Sequence, residues 1–548
     1  MIYFYYPIIF KELIAVNKIV LKIYIIFFFI VLLINYLLLN QYIFSYLNNT
    51  IPLFKILRKQ NNKTIHINKK YPIKYNDYNI EMDKNEDFYR TNYFYLMPGK
   101  NCPNKKIKTI FFKPKYPTFP YKYITFQEKN ISLKSKEEIQ PTAFTQTKNE
   151  IREFFLKKLG FFMDTKMNSY NLYIAPYNIN YTLEKGINHY FVDKYQKINR
   201  FFNYQEYVSK SLLYNNYKEL ENIFPLDYNF MLETYSYPEQ KEAIEKKFKG
   251  YYLKSEKDIW MIKPKLGSLG NKVTILKNFS NINLKNYIIT KYLYKPFLIK
   301  GFKNDFRFHG LVSSIKPLKL YLYNEGFVRL ASEKYNISLS DLNNKFAILT
   351  NIHINIKNKK KYKYPINISN LEDSNLWNFE TFGKYCEKNN INYTKIFIEI
   401  SDIFIKTMIS VREKIVKYIE NNKYDSSNFF HLIGFDIIFD QNLKPYLLEM
   451  NRRCSFRNNN EAEKFYAFNI IADTLNIVGI RTINKNNEYK NKNDLLKENL
   501  EESLCELDRP RGGYKLIFPL KNNFKKYKKF FGKNISKEDQ LLWKNLIE

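Results

Sequence analysis

Hairpin-like strand pairs set among helical stretches predict a mixed α/β (α+β) fold for this chain. Three stretches carry that prediction. Leu318–Leu330 and Gly434–Asn451 alternate apolar and polar residues about short turns, and Ile391–Asn421 keeps a helical period over several turns. With 548 residues the chain is long enough for two or three packed units rather than one.

Taken from the N-terminus, the first feature is Ile23–Leu39, IYIIFFFIVLLINYLLL, preceded by Lys11, Lys18 and Lys22. It is long enough to span a bilayer with some tilt. No small-residue cleavage site follows it clearly, so residues 1–45 read as a hydrophobic helix and signal-anchor, with membrane attachment through 19–40. An over-extended gene model and a buried apolar segment remain open alternatives. Residues 46–145 carry Pro, Lys and Tyr clusters such as KPKYPTFPYKY at Lys113–Tyr123, and read as a variable linker or extension.

From Asn149 the pattern tightens, and 146–520 reads as the main domain. Ile151–Leu159 and Tyr204–Tyr217 are expected as helices, and Asn171–Ala175, Asp258–Ile262, Lys272–Leu276 and Tyr287–Tyr292 as strands. Residues 484–500 are rich in Asn and Lys and read as an exposed loop; 521–548 reads as a basic, helix-flavoured tail.

The net charge is +35, from 88 basic and 53 acidic residues. Such a surface favours polyanionic partners. The chain is also heavy in Lys, Asn, Ile, Tyr and Phe and poor in Gly and Ala, a signature of biased codon usage, so the charge is discounted as functional evidence. RNA-binding and helix-turn-helix signatures are absent, and no nucleic-acid partner is expected. The four cysteines, Cys102, Cys386, Cys454 and Cys505, show no metal-ligand spacing and suggest no disulfide framework, which favours a reduced, cytoplasmic setting. The five histidines are scattered, without a zinc pattern, and are expected to be structural.

The segment with most chemical content is Gly434–Asn451, GFDIIFDQNLKPYLLEMN. Folded about Gln441-Asn442-Leu443-Lys444, it sets Asp440 against Pro445 and Asp436 against Glu449, with Asn451 on the same face. Phe435, Ile437 and Phe439 turn to the other face with Tyr446, Leu448 and Met450. Like charges opposed across a strand pair destabilise it. An all-oxygen set of Asp436, Glu449 and Asn451 suits Mg²⁺ carried on a nucleotide. A solvent-facing hairpin with incidental acids is the bland alternative.

Three further stretches add charge. Trp260–Leu276, WMIKPKLGSLGNKVTIL, delivers Lys263 from a strand into a loop with Gly267, Ser268 and Gly270, which differs from a P-loop because a strand follows. Lys303, Asp305 and Arg307 alternate onto one strand face, suited to phosphate and an acidic substrate, or to an edge strand guarded by charge. In Leu318–Leu330, Asn324-Glu325-Gly326 reads as a hairpin turn with Gly326 able to take positive φ, so that Arg329 returns toward the site.

In this order the blocks WMIKP, KYL with Pro296, KNDFR, YLYNEGFVR, EKY, NNK with LTN, GFD and LEMN resemble the tubulin–tyrosine ligase-like family over roughly residues 150–520. PLKLYLYNEGFVRLASEKY, LNNKFAILTN, Asp473–Ile480 (DTLNIVGI) and Arg511–Pro519 (RGGYKLIFP) are most similar to its polyglutamylase branch. The resemblance implies an ATP-grasp fold with N-terminal, central and C-terminal lobes, and ATP and Mg²⁺ as cofactors. It places Lys210, Lys263, Gly270, Asp305 and the adenine linker Thr290, Lys291, Tyr292 and Leu293 at the nucleotide. Lys303, Asp305, Arg307, Arg329, Thr350 and Asn351 become the catalytic set, and Asp436, Glu449 and Asn451 the metal ligands. Departures are Lys272 where the family has a second loop glycine, Thr290 at the start of the linker, and Arg452-Arg453-Cys454-Ser455 where Pro-Ser is usual. The implied activity is ATP-dependent addition of free glutamate to side-chain carboxylates of tubulin C-terminal tails, on microtubules of the cytoplasm, cilium or flagellum. A glycine ligase of the same fold and a catalytically inert microtubule-binding protein are the alternatives.

Overall fold

The strand Phe302–Ile315 organises the molecule, because four neighbouring strands use it as a template. A computed structural model describes residues 80–82, 93–96, 102–103, 109–112, 126–128, 141–145, 150–164, 170–175, 196–265, 273–279, 285–336, 338, 343–365, 371–454, 456, 461–481, 492–532 and 535–547. These fall in one unit, Lys74–Glu548. The apolar segment Ile23–Leu39 and the loop residues Gly267, Ser268, Gly270 and Lys272 lie outside the described residues. Among the described residues no helix is long and apolar enough to cross a membrane.

The expected mixed α/β architecture is observed. One eight-stranded sheet is centred on Phe302–Ile315, and a second, antiparallel sheet is built from Thr234–Ser236, Trp260–Pro264, Thr274–Ile275 and Tyr287–Lys291. A parallel sheet joins Thr142–Thr145, Phe162–Asp164, Leu172–Ile174 and Lys197–Ile198. The helix Tyr393–Asn421, capped by the Asn392 side chain on the Lys395 amide, packs its apolar face on the large sheet. Phe404 stacks on Phe435 with centroids 5.0 Å apart, and a Cβ on Gly310 would lie 2.4 Å from the Phe404 ring. Close approach of helix to sheet thus requires glycine there.

Several expectations are corrected. Leu318–Leu330 is not a hairpin. Leu318–Tyr323 and Phe327–Leu330 both run antiparallel to Phe302–Ile315 along the edge opposite His431–Phe439, so they form one interrupted strand. The reversal lies at Lys316-Pro317, and Asn324-Glu325-Gly326 is a two-residue slip in register. Gly326 is needed for close approach, not for positive φ: a Cβ there would meet the Arg307 carbonyl oxygen at 2.4 Å. Tyr204–Tyr217 divides at Ser209 into Gln205–Val208 and Lys210–Ile223.

The second hairpin is real but its turn is longer. Asp440 Oδ1 accepts from the amides of Asn442 and Lys444, Leu443 takes φ +63°, and Phe439 rather than Asp440 pairs with Pro445. A bulge between Asp436 and Ile437 then absorbs one residue of the returning strand and restores Asp436 opposite Glu449. In consequence Leu447, not Leu448 or Tyr446, joins Ile437 in the core, and Leu448 faces the cleft.

Residues 46–145 are not simply a linker. Ile80–Met82, Tyr93–Leu96, Thr109–Phe112 and Phe126–Glu128 form a four-stranded sheet, and buried Phe112 exchanges hydrogen bonds with the Asn476 side chain. Cys102 and Cys505 are joined by a disulfide across a separation of 403 residues, a pairing that spacing alone does not reveal. Lys492–Leu507 is a helix, which removes most of the expected 484–500 loop. Residues 521–548 are no tail: Phe524, Tyr527, Phe530, Phe531 and Trp543 enter the main core. Asp539, fully buried, accepts from the Leu318 amide at 2.8 Å and pairs with Arg412.

Asp539→Ala strands a buried guanidinium and an amide, and is expected to lower stability by about 3–5 kcal/mol in urea unfolding. A loss under about 0.5 kcal/mol would mean that this segment is detached from the core.

Candidate active site

Strand alternation carries Lys303, Asp305, Arg307 and His309 to one face of Phe302–Ile315, while Phe306 and Phe308 enter the core. Register does the rest. Arg329 pairs with Asp305, Arg307 with Asp436, and Asp436 with Glu449. Four strands therefore contribute to one charged row.

The row is closely interlocked. Arg329 donates to both Asp305 oxygens at 2.6 Å and reaches Asp436 Oδ2 at 2.8 Å. Arg307 donates through Nε to Asp436 Oδ1 and through Nη2 to Oδ2 at 3.0 Å. The Thr350 hydroxyl also hydrogen-bonds Asp305. Burial pushes the Asp436 carboxyl up, but the two guanidiniums overcome it and hold it well below the usual range. Glu449 Oε2 lies 3.1 Å from Lys210 Nζ, and Asn451 Nδ2 donates to Glu449 Oε1 at 3.4 Å.

Two cavities meet at this row. The first, about 130 Å³, is lined by Lys210, Lys263, Lys291, Tyr292, Leu293, Lys303, Asp305, Thr350, Asn351, Asp436 and Glu449, among others. The second, about 250 Å³, is lined by Arg307, Arg329, Asn351, His353, Glu449, Asn451, Glu463 and Tyr466, with apolar Phe327 and Phe456. Asn351 and Glu449 face both. Lys303 donates to the Tyr292 hydroxyl at 2.7 Å and to the Ile348 carbonyl at 2.8 Å. Burial, with Lys263 nearby, brings Lys303 down to about 7; burial and then Lys210 bring Lys263 down to about 8. The first cavity is thus a cationic pocket whose lysines are poorly solvated and fit a polyphosphate.

Thr290 does not line the first cavity itself: it shares the strand face of Tyr292, opposite Met261, and lines a small neighbouring pocket with Lys210 and Lys263, its hydroxyl 3.2 Å from that of Thr234. The Lys291 ammonium turns toward Asp258 and over the Trp260 ring. Gly270 lies outside the described residues. Sequence reasoning missed Glu463 and Tyr466, which a later helix, Glu461–Val478, brings to the second cavity; no local signal marks them. It also took every histidine as structural. His353 lines the second cavity, whereas buried His309 supports Tyr466, 2.5 Å from its hydroxyl, and burial followed by Arg307 drives its pKa down to about 3.

The acid pair Asp436 and Glu449 does not need a metal for its stability, because Arg307, Arg329 and Lys210 already neutralise it. Among the described residues there is no group of three His, Cys, Asp or Glu suited to a metal ion. Glu449 and Asn451 nevertheless present oxygen donors where the cavities meet and fit a hard cation. Both Asp436 oxygens are engaged by guanidiniums, so Asp436 would have to exchange an arginine contact to join them.

A model of the tubulin-tyrosine ligase family matches residues 188–490, more than half of the chain. Human tubulin polyglutamylase TTLL6 is 29% identical over 408 residues, covering 69% of this chain and 44% of the relative. Mouse tubulin polyglutamylase TTLL7 is 29% identical over 301 residues, 54% of this chain and 33% of the relative. Mouse tubulin monoglutamylase TTLL4 is 29% identical over 291 residues, 53% and 24% respectively. The chain therefore spans less than half the length of these curated relatives.

The depressed lysines would make binding of a triphosphate in the first cavity depend on pH. A triphosphate favours charged Lys263 and Lys303, so binding takes up protons and affinity falls as pH rises from 7 to 9. Titration calorimetry at pH 8 in buffers of different ionisation heat should report uptake of roughly one proton. Zero uptake would contradict the lysine assignment. For the free protein the sign is opposite: unfolded lysines keep protons that the folded ones have lost, so stability rises with pH across that window.

Proposed function

The chain belongs to the tubulin-tyrosine ligase family, and from that membership and the paired cavities we propose an ATP-dependent ligase that adds glutamate to side-chain carboxylates of tubulin C-terminal tails. One observation carries the reading. The lysine-lined cavity and the arginine-lined cavity meet at a single row of charge, with Glu449 and Asn351 in both walls. A nucleotide in one and a carboxylate in the other bring phosphorus and oxygen together there. The lobes of an ATP-grasp fold account for the large sheet and the smaller antiparallel sheet meeting at this cleft.

Lys210, Lys263 and Lys303 hold the phosphates, with the adenine against Tyr292 and Leu293. Arg307 and Arg329, oriented by Asp436 and Asp305, hold the acceptor carboxylate. Its oxygen attacks the γ-phosphorus, the bond to ADP breaks, and an acyl phosphate forms. The amine of glutamate then attacks the acyl carbon, phosphate departs with the bonding pair, and the amine loses its proton. Glu449 and Asn451, with Asp436 beside them, would hold Mg²⁺ on the nucleotide, which would neutralise the phosphoryl oxygens. No protein nucleophile is required; positioning and electrostatics carry the rate. Tubulin as substrate places the enzyme on microtubules of the cytoskeleton.

The test is mass spectrometry of tubulin tails after incubation with the full chain, ATP, Mg²⁺ and either labelled glutamate or labelled glycine. Glutamate increments are expected, and Glu449→Gln should reduce their rate by roughly 100-fold or more with the fold retained. Incorporation of glycine alone, or an undiminished Glu449→Gln enzyme, would refute the assignment.

A further inference from the structure

The arginine-lined cavity opens beside a short, strongly basic ridge. Lys357, Lys359, Lys360, Lys361 and Lys363 are all exposed, five cations within seven residues. Only Lys361 has an acidic partner among the described residues, Glu333 at 3.3 Å. A lysine run is ordinarily a solvated surface, and this chain is lysine-rich throughout. The position of this one is what distinguishes it.

The cavity wall holds the ridge at both ends. Ile352 and His353, just before it, line the cavity. Tyr364, just after it, donates to Glu463, which lines the same cavity. The Lys363 backbone exchanges hydrogen bonds of 2.8 and 2.9 Å with Asn375, the neighbour of the wall residue Leu376. Between these anchors Asn358 donates to the Glu333 carboxylate at 3.0 Å and to the Ser332 hydroxyl at 3.2 Å. A ridge pinned in this way presents its lysines in a fixed place without fixing the lysines themselves.

We propose that Lys357–Lys363 is a docking ridge for the acidic stretch of polypeptide flanking the acceptor carboxylate. The proposal rests on the ligase reading for the identity of the cavity. The charge inside the cavity is committed to the acceptor carboxylate itself and to Asp305 and Asp436, which Arg307 and Arg329 contact, and leaves nothing for the flanking residues. A polyanionic chain leaving the cavity past His353 and Glu463 meets these exposed cations on the ridge. Solvent-exposed lysines hold such a chain loosely and in a salt-dependent way, which suits a flexible tail that must advance between turnovers.

Fluorescence anisotropy of a labelled twelve-residue glutamate-rich peptide tests this on the full chain. Lys357→Gln, Lys359→Gln, Lys360→Gln and Lys363→Gln combined should weaken binding roughly tenfold at low salt, with the difference vanishing near ~0.5 M salt. The same charge removed elsewhere, by Lys241, Lys246, Lys247 and Lys249→Gln, should change binding less than about twofold. Equal weakening by both sets would leave only net charge and overturn the ridge. So would an unaffected ridge variant, or tighter binding of a single-stranded oligonucleotide of equal charge through the same lysines. Failure of the ligase reading looks different: the wild-type chain would then incorporate no glutamate while peptide binding still depended on the ridge.

Discussion

Asp436 lies between two guanidinium groups, and the arrangement of the cleft depends on that contact. Burying a carboxylate costs several kcal/mol unless its oxygens are matched. Here both are matched, by Arg307 in a fork and by Arg329 from the neighbouring edge, while Arg329 also holds Asp305. Each ion orients the next. Removing one member would leave another buried and uncompensated, so the four residues act as a unit and their separate contributions would not add.

The scaffold beneath is arranged to let that row lie flat. Phe306, Phe308, Phe404 and Phe435 fill the opposite face of the sheet, fixing the height of the strands that carry the charges. Glycines make the room. A Cβ on Gly434 would come within 3.2 Å of the Arg307 side chain, and one on Gly326 within 2.4 Å of the Arg307 carbonyl oxygen. Farther out, Asp473 accepts from the Gly513 amide at 2.8 Å and from the Tyr323 hydroxyl at 3.1 Å. That contact joins two blocks distant in sequence, Asp473–Ile480 and Arg511–Pro519.

Period-two alternation made the site face of Phe302–Ile315 legible in the sequence, because it depends only on neighbouring residues. The opposition of Asp436 and Glu449 was legible too, though through two compensating departures: a longer turn and a bulge. What stayed hidden was non-local. Nothing near Asn324-Glu325-Gly326 shows that its flanking strands both pair with Phe302–Ile315 rather than with each other. Nothing near Trp543 or Cys102 shows that the last residues enter the core or that Cys505 is a partner. Opposed carboxylates need a cation, and the arginines and lysine that the structure sets beside Asp436 and Glu449 come from strands and a helix too distant in sequence to be foreseen.

Attack of an acceptor carboxylate, held beside Arg307 and Arg329, on the terminal phosphorus of a nucleotide across the charged row is the chemical step on which the proposed function rests. Transfer of ¹⁸O from a doubly labelled acceptor glutamate measures that event directly. One labelled oxygen should appear in inorganic phosphate for each glutamate joined. Phosphate free of label, or label recovered in AMP, would show that the bond is activated another way.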